Sequence, residues 1–207
     1  MLKRNRTSVM PDAISGKTFV LILMGILLIG VLIGTIAFCN MGNSEALSLS
    51  FITQGFIKNR AEQTILQTFT SSFSSAALIV IACFLGGFSA IFQPAEILIP
   101  LFRGVGLGTS IAYIYTAFGI KGFFITLIII IPNAVISSIA IVFAARESFR
   151  MSNSIGKYLF LGQIGDIKEK ISVKLYLLKF VILFVIISMS ALLDSILTFV
   201  FARILFK

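Results

Sequence analysis

The chain has 207 residues, of which 58% are hydrophobic and 12% are charged, and its formal net charge is +9. Soluble domains carry about 25% charged residues, so the composition excludes an ordinary soluble domain and indicates an integral membrane protein. The sequence contains no histidine, which excludes a Ser-His-Asp triad and histidine metal ligands. The two cysteines, Cys39 and Cys83, lack metal-ligand spacing, so we expect no metal and no other cofactor.

The predicted elements are hydrophobic stretches that can cross a bilayer as helices. A hydrocarbon core of about 30 Å takes about 20 consecutive apolar residues, and the chain contains four such stretches and a shorter fifth. The sequence therefore predicts an all-α fold, a polytopic transmembrane helical bundle of about five spans in one integral membrane domain over residues 1–207. The spans lie at about 18–38, 73–92, 105–119, 122–145 and 177–200.

The basic residues determine the predicted orientation. Lys and Arg concentrate in the N-terminal tail and in the basic loop 146–174, and the positive-inside rule places both regions on the cytoplasmic side. Four crossings between them satisfy this rule, so we expect a cytoplasmic N-terminus and an extracytoplasmic C-terminus. A re-entrant segment over 94–119 would remove one crossing, and we therefore favour a true crossing there. Because the basic residues flank the spans, they indicate contact with the lipid bilayer and no nucleic-acid surface.

The segment 44–72 is too polar to span the membrane and is external in this orientation. Its apolar residues recur at three- and four-residue steps, and polar residues fill the other face. This spacing is typical of an amphipathic helix. It predicts one amphipathic interfacial helix that either lies on the outer bilayer surface or docks on a partner.

Polar and helix-breaking residues are costly in a membrane unless they find partners, and a first cluster of them enters the third span. Pro94 and Glu96 suit the first turn of a helix, whereas Pro100 should end or bend that short helix. Glu96 and Arg103 share a helix face and could pair across the bend. The cluster forms either a cytoplasmic hairpin with a close helix–helix contact or a broken helix that lines a substrate path. The candidate positions are Gln93, Pro94, Glu96, Arg103, Gly104, Gly106 and Gly108.

Two further candidate positions lie in later spans. Pro132 frees a backbone carbonyl near the middle of the fourth span, and Asn133 could supply a replacement donor or reach another helix. The pair forms either a packed kink or a contact for a substrate or ion. Asp194 continues a polar stripe with Ser190 and Thr198, and this face should point into the bundle or toward a partner. The stripe therefore serves structural pairing, or assembly or transport.

The sequence shows no set of residues that could form a catalytic site. A membrane-embedded hydrolase or transferase needs a nucleophile with a base, or carboxylates around a metal. Glu96 and Asp194 lie toward opposite faces of the membrane in the predicted orientation. We therefore expect that the protein is not an enzyme.

The order of motifs between residues 73 and 148 resembles the stage II sporulation protein M family. Members of this family carry a basic-Gly-x-x-x-Gly segment that enters a helix, then a glycine-spaced turn, then a proline–polar pair in the next span. The residues that carry the resemblance are Leu101–Ser110 (LFRGVGLGTS), Tyr113, Gly119, Gly122, Ile131, Pro132 and Asn133.

The resemblance implies a function that the composition alone does not. It implies a non-enzymatic membrane scaffold for septal peptidoglycan remodelling during spore engulfment, located in the bacterial cell membrane at the sporulation septum. Its implied partners are the peptidoglycan-degrading stage II sporulation proteins D and P. The alternative is a membrane transporter or permease subunit for an unknown solute. A tightly packed centre favours the scaffold, whereas a hydrated cavity that reaches Asn133 favours transport. The sequence leaves open whether the chain forms a homo-oligomer.

Overall fold

The computed structural model describes residues 16–40, 64–161 and 173–205, and every regular element in these ranges is helical. This part of the chain contains five helices that are long and apolar enough to cross a membrane, which confirms the predicted all-α transmembrane bundle. The elements are α1 (Gly16–Asn40), α2 (Ile65–Gly86), a 3-10 turn (Ala90–Phe92), α3 (Gln93–Ile125), a π-helical turn (Thr126–Ile130), α4 (Ile131–Leu161) and α5 (Val173–Leu205).

The helices alternate in direction along the chain, so that α1, α3 and α5 run one way and α2 and α4 the other. We call the end with the α2–α3 turn the Gly87 end and the end with the turn in α3 the Gly119 end. The start of α1, the end of α4 and the start of α5 all lie at the Gly87 end, which is consistent with the charge rule. Which end faces the cytoplasm stays a prediction. The contacts that define the directions join Gly30 to Gly104, Phe38 to Tyr113, Arg103 to Ser137, Glu96 to Ser148, Glu147 to Lys179, Asn133 to Ser190, Ser72 to Asp194 and Phe84 to Tyr176.

The third crossing is one helix that continues through Pro100. The backbone of α3 leaves helical geometry only at Gly119, and residues 93–118 span about 39 Å at a rise of about 1.5 Å per residue. Pro100 removes one backbone hydrogen bond, but its side chain is fully buried and packing offsets that loss. The predicted separate short helix that ends at Pro100 is therefore wrong, and residues 94–104 form the first half of a full-length helix.

Glycine and proline shape the connection between the third and fourth crossings. Gly119 adopts φ 56° and ψ −131°, a conformation that a side chain would strain, and the chain reverses there. The reversal agrees with the predicted boundary between spans 105–119 and 122–145. The π-helical turn then precedes Pro132, which cannot donate a backbone hydrogen bond. The π-helical turn thus connects the reversal at Gly119 to the start of α4.

Several helices extend beyond the predicted spans into polar sequence. α2 begins at Ile65 after a capping box in which the Thr64 backbone N–H donates to Gln67 Oε1 at 3.1 Å. Residues 65–72, predicted as part of the external segment 44–72, are therefore the start of the crossing helix, and the rest of that segment lies outside the described residues. α4 likewise continues to Leu161, so the first half of the predicted loop 146–174 is helical. Residues 162–172 of that loop are not described.

α4 is the central helix and positions the candidate site. It packs against α2, α3 and α5, and Ile141, Val142 and Ala144 on its buried face are completely enclosed. α1 packs mainly on α3. α2 and α3 both lie on α4 but contact each other little, so a groove remains between them with α4 as its floor.

Candidate functional site

The groove between α2 and α3 contains a cleft of about 270 Å³ that is lined by both polar and apolar residues. It occupies the half of the bundle toward the Gly119 end and reaches down to the middle of α3. Leu107, Ile114 and Ile130 supply part of its apolar wall. Its polar side chains come from three helices, which sets it apart from the apolar core beside it. They are Ser71, Ser72 and Ser75 of α2, Arg103 and Ser110 of α3, and Asn133 and Ser137 of α4.

Arg103 lies at the inner end of the cleft. One guanidinium nitrogen, Nη2, donates to the Ser137 hydroxyl at 2.9 Å. The Nε–H is buried and has no hydrogen-bond partner among the described residues. An arginine near the centre of a membrane helix costs about 2.5–3.5 kcal/mol on insertion scales. A single hydrogen bond to a serine compensates only part of this cost. A further polar or charged partner would therefore stabilise the Arg103 side chain.

Asn133 lies on the floor of the cleft and contacts α5. Its Oδ1 accepts a hydrogen bond from Ser190 Oγ at 2.6 Å, which confirms that it reaches another helix. In this contact Asn133 is the hydrogen-bond acceptor. Because the oxygen is engaged by Ser190, the amide nitrogen is the group that Asn133 can offer to the cleft.

The three alternate glycines of α3 divide between two roles. A Cβ atom at Gly104 would overlap the Leu27 carbonyl of α1, and one at Gly108 would overlap the Val31 carbonyl. These two glycines therefore allow the close contact between α1 and α3 that the sequence predicts. Gly106 faces the cleft, where a Cβ would meet no atom within 4 Å. The prediction of close packing does not hold at this position.

A second polar group, which we call the Glu96 cluster, lies at the Gly87 end and comprises Glu96, Ser148, Tyr176 and the Cys83 carbonyl. Glu96 is 1% exposed, and Ser148 donates toward its Oε1 at 2.6 Å while also lying against the Cys83 carbonyl. Tyr176 donates to the Phe84 carbonyl at 2.9 Å. The side chains fill the space between α2, α3, α4 and α5, so the cluster is closed.

The predicted pairing of Glu96 with Arg103 is wrong. Seven residues on one helix face separate their Cα atoms by about 10 Å along the axis. Each side chain instead contacts a serine of the antiparallel α4, with Ser148 beside Glu96 and Ser137 beside Arg103. The partners thus come from a helix that sequence spacing along α3 cannot reveal.

The polar stripe of α5 faces the bundle, as predicted. Ser190, Asp194 and Thr198 are all buried. The Ser72 hydroxyl donates to Asp194 Oδ2, and this contact joins α5 to α2 behind the wall of the cleft. Asp194 is therefore engaged and enclosed within the chain.

The other predicted positions lie away from the cleft. Gln93 is half-buried beside Gly156 at the Gly87 end, and Pro94 is exposed in the first turn of α3. Ser71, Ser72 and Ser75 of α2 were not among the predicted positions, and Ser110 of α3 was named only as part of the family resemblance. Small polar residues that recur within an apolar span were the available signal.

Among the described residues, no three Cys, Asp or Glu side chains come together as a metal site. Comparison of the chain with protein-family models, curated proteins and solved structures gave no match.

Proposed function

We propose that the protein is a membrane transporter or permease subunit that binds a polar solute in the cleft. The observation that carries this proposal is an open cleft between α2, α3 and α4 that reaches both Arg103 and Asn133. A scaffold that only holds partners together needs no such cavity. A solute path needs polar groups at membrane depth, and such groups are tolerated where they line a water-filled cavity.

The difference between the two ends of the bundle favours access of a solute to the cleft from one side of the membrane. The cleft lies toward the Gly119 end, whereas the buried Glu96 cluster lies at the Gly87 end, where a smaller pocket of about 190 Å³ is confined to the surface of α4 and α5. Under the predicted orientation, the cleft faces the exterior and the closed end faces the cytoplasm. This arrangement corresponds to one state of an alternating-access cycle, in which a single site opens to one side at a time.

The proposal is tested by transport in reconstituted vesicles. The full chain is placed in liposomes, a mixture of small water-soluble metabolites is added outside, and uptake is read by mass spectrometry. We expect at least one solute to accumulate above protein-free vesicles, and Arg103→Ala and Asn133→Ala to abolish that uptake. Met189→Ala is the matched control, because Met189 is 56% exposed on the outer face of α5 next to Ser190. Equal retention of every solute with and without the protein would count against transport.

The scaffold is the second candidate function. The observation that favours it is the use of Gly104 and Gly108, which carry the family resemblance, to pack α3 onto α1 and not to form a site. A rigid non-enzymatic anchor for septal peptidoglycan remodelling requires such a packed unit. Crosslinking and affinity purification from sporulating cells should then enrich the stage II sporulation proteins D and P. Absence of any wall hydrolase or septal protein from the purified material would refute the scaffold.

A further inference from the structure

We propose that the cleft binds an anionic group, either a carboxylate or a phosphate, against Arg103. This inference rests on the proposed binding role of the cleft and specifies the chemistry of its ligand. It also distinguishes the cleft from the Glu96 cluster, whose carboxyl group is 1% exposed and does not line a cavity of this kind.

The residues that line the cleft include one charged side chain, that of Arg103, and the Asp194 carboxylate lies behind the wall, where it accepts a hydrogen bond from the hydroxyl of Ser72. Within the described chain, Arg103 makes its hydrogen bond to the neutral Ser137 and forms no ion pair. A charge removed from water is stabilised mainly by an opposite charge and by hydrogen bonds to it. The missing element is therefore a negative group.

The neutral groups of the cleft also suit an anion. The Asn133 amide nitrogen is a donor, and its oxygen is held by Ser190 on the far side. Ser71 adds a further hydroxyl, whereas the hydroxyls of Ser75 and Ser110 donate to the backbone carbonyls of Ser72 and Gly106 and would have to rotate to reach a ligand. A guanidinium with surrounding neutral donors is the arrangement that binds carboxylate and phosphate oxygens through charge-assisted hydrogen bonds.

The size of the cleft limits the ligand. A cavity of about 270 Å³ lies just below the range of about 300–1,000 Å³ that holds most small-molecule ligands. It suits a small organic acid, inorganic phosphate or the phosphate of a lipid headgroup. These ligands share one chemistry and differ in source, which the experiment separates.

The test uses the buried Cys83 as a reporter of unfolding. Cys39 is exposed and Cys83 is buried, so in a Cys39→Ser background a thiol-reactive dye reports the melting of the bundle. The full chain in a neutral detergent is titrated with sodium acetate and sodium phosphate, and with glycerol as a neutral solute. We expect the anions to raise the melting temperature in a saturable manner. Arg103→Gln should raise the half-saturating concentration at least tenfold, whereas Arg103→Lys should retain part of the response.

A second variant keeps the test decisive if Arg103→Gln does not fold. Gly106 lies one turn from Arg103 and has open space where a side chain would sit. Gly106→Asp should place a carboxylate beside the guanidinium at i,i+3 spacing, raise the basal melting temperature and remove the response to added anions. Gly106→Asn has the same shape without the charge and should keep the response. Arg150→Gln, an exposed cation at the Gly87 end that pairs with Glu147, should also keep it.

The outcomes separate this inference from the proposed function. If the anions raise the melting temperature equally in every variant, the rise is a general salt effect and the inference is overturned. If a neutral solute or a cation binds with sensitivity to Asn133→Ala while anions do not, the anion inference fails and the cleft keeps its binding role. If no solute of any class binds, both fail.

A lipid arm identifies the source of the anion. The same variants are melted in nanodiscs of phosphatidylcholine with and without phosphatidylglycerol. Stabilisation by phosphatidylglycerol alone, with the same loss in Arg103→Gln and Gly106→Asp, supports the anionic site and assigns it to a lipid headgroup. That result would contradict transport of a soluble anion.

Discussion

The Glu96 cluster and the cleft each place a charged residue of α3 beside a serine of α4, but Glu96 is fully buried whereas Arg103 is half-buried and borders an open cleft. Glu96 is enclosed by Ser148 and by side chains from α2 and α5. Arg103 has Ser137 on one side and a cavity of about 270 Å³ on the other. The comparison teaches that burial of a charge does not by itself indicate function. The open space beside Arg103 does, because a ligand can enter it.

The largest expected loss of stability comes from a substitution in the Glu96 cluster. Glu96→Ala leaves Ser148 without its carboxylate partner and creates a cavity, so we expect a loss of about 3 kcal/mol of stability. Thermal melting followed by circular dichroism measures it. Glu96→Gln keeps the shape of the side chain and should lose much less. A loss in Arg103→Ala as large as that in Glu96→Ala would erase the distinction between the two regions.

Gly87 in the closed region and Gly106 in the cleft should respond in opposite directions to a substitution by alanine. The expected changes in stability are smaller than that for Glu96→Ala. A Cβ at Gly87 would overlap the Tyr176 hydroxyl of the Glu96 cluster, whereas one at Gly106 would extend into the open cleft. Gly87→Ala should therefore destabilise the protein by about 1–3 kcal/mol through overpacking. Gly106→Ala should be neutral or stabilise it by up to about 1 kcal/mol, because alanine favours helix more than glycine does. Destabilisation by Gly106→Ala in the same melting assay would show that the cleft is packed.

The smallest expected change in stability is at the cleft itself. Arg103→Gln removes one hydrogen bond to Ser137 but also removes a charge from the membrane interior, and these effects oppose each other. We expect a net change below about 1 kcal/mol together with the loss of ligand binding. Chemical unfolding in mixed micelles measures the first quantity. A large destabilisation with intact solute binding would make Arg103 a structural residue like Glu96.

The sequence predicts the five long apolar helices well, because a run of about 20 apolar residues is visible in the sequence itself. It misplaces their ends, because the helices at Ile65 and beyond Ala145 continue through polar sequence that a capping box or neighbouring helices support. At Pro100 the local rule for proline fails, since tertiary packing offsets the lost hydrogen bond.

The candidate site is only partly predictable. The cost of polar groups in lipid singled out Arg103 and Asn133 in advance, and both line the cleft. The cleft itself depends on α2 and α3 packing on α4 while hardly touching each other, which no spacing along one helix encodes. For the same reason, the partners of Glu96 and Arg103 on α4 could not be read from the sequence.

Thiol labelling tests most directly whether the cleft is an aqueous site. In a Cys39→Ser background, Ser110→Cys places a thiol in the wall of the cleft, and Met189→Cys places one on the outer face of α5 next to Ser190. We expect a charged, membrane-impermeant maleimide to label Ser110→Cys at least tenfold faster than Met189→Cys, and an excess of the bound anion to slow only the first reaction. Equal and slow labelling of both would show that lipid or protein fills the cleft, and the binding role would then be abandoned.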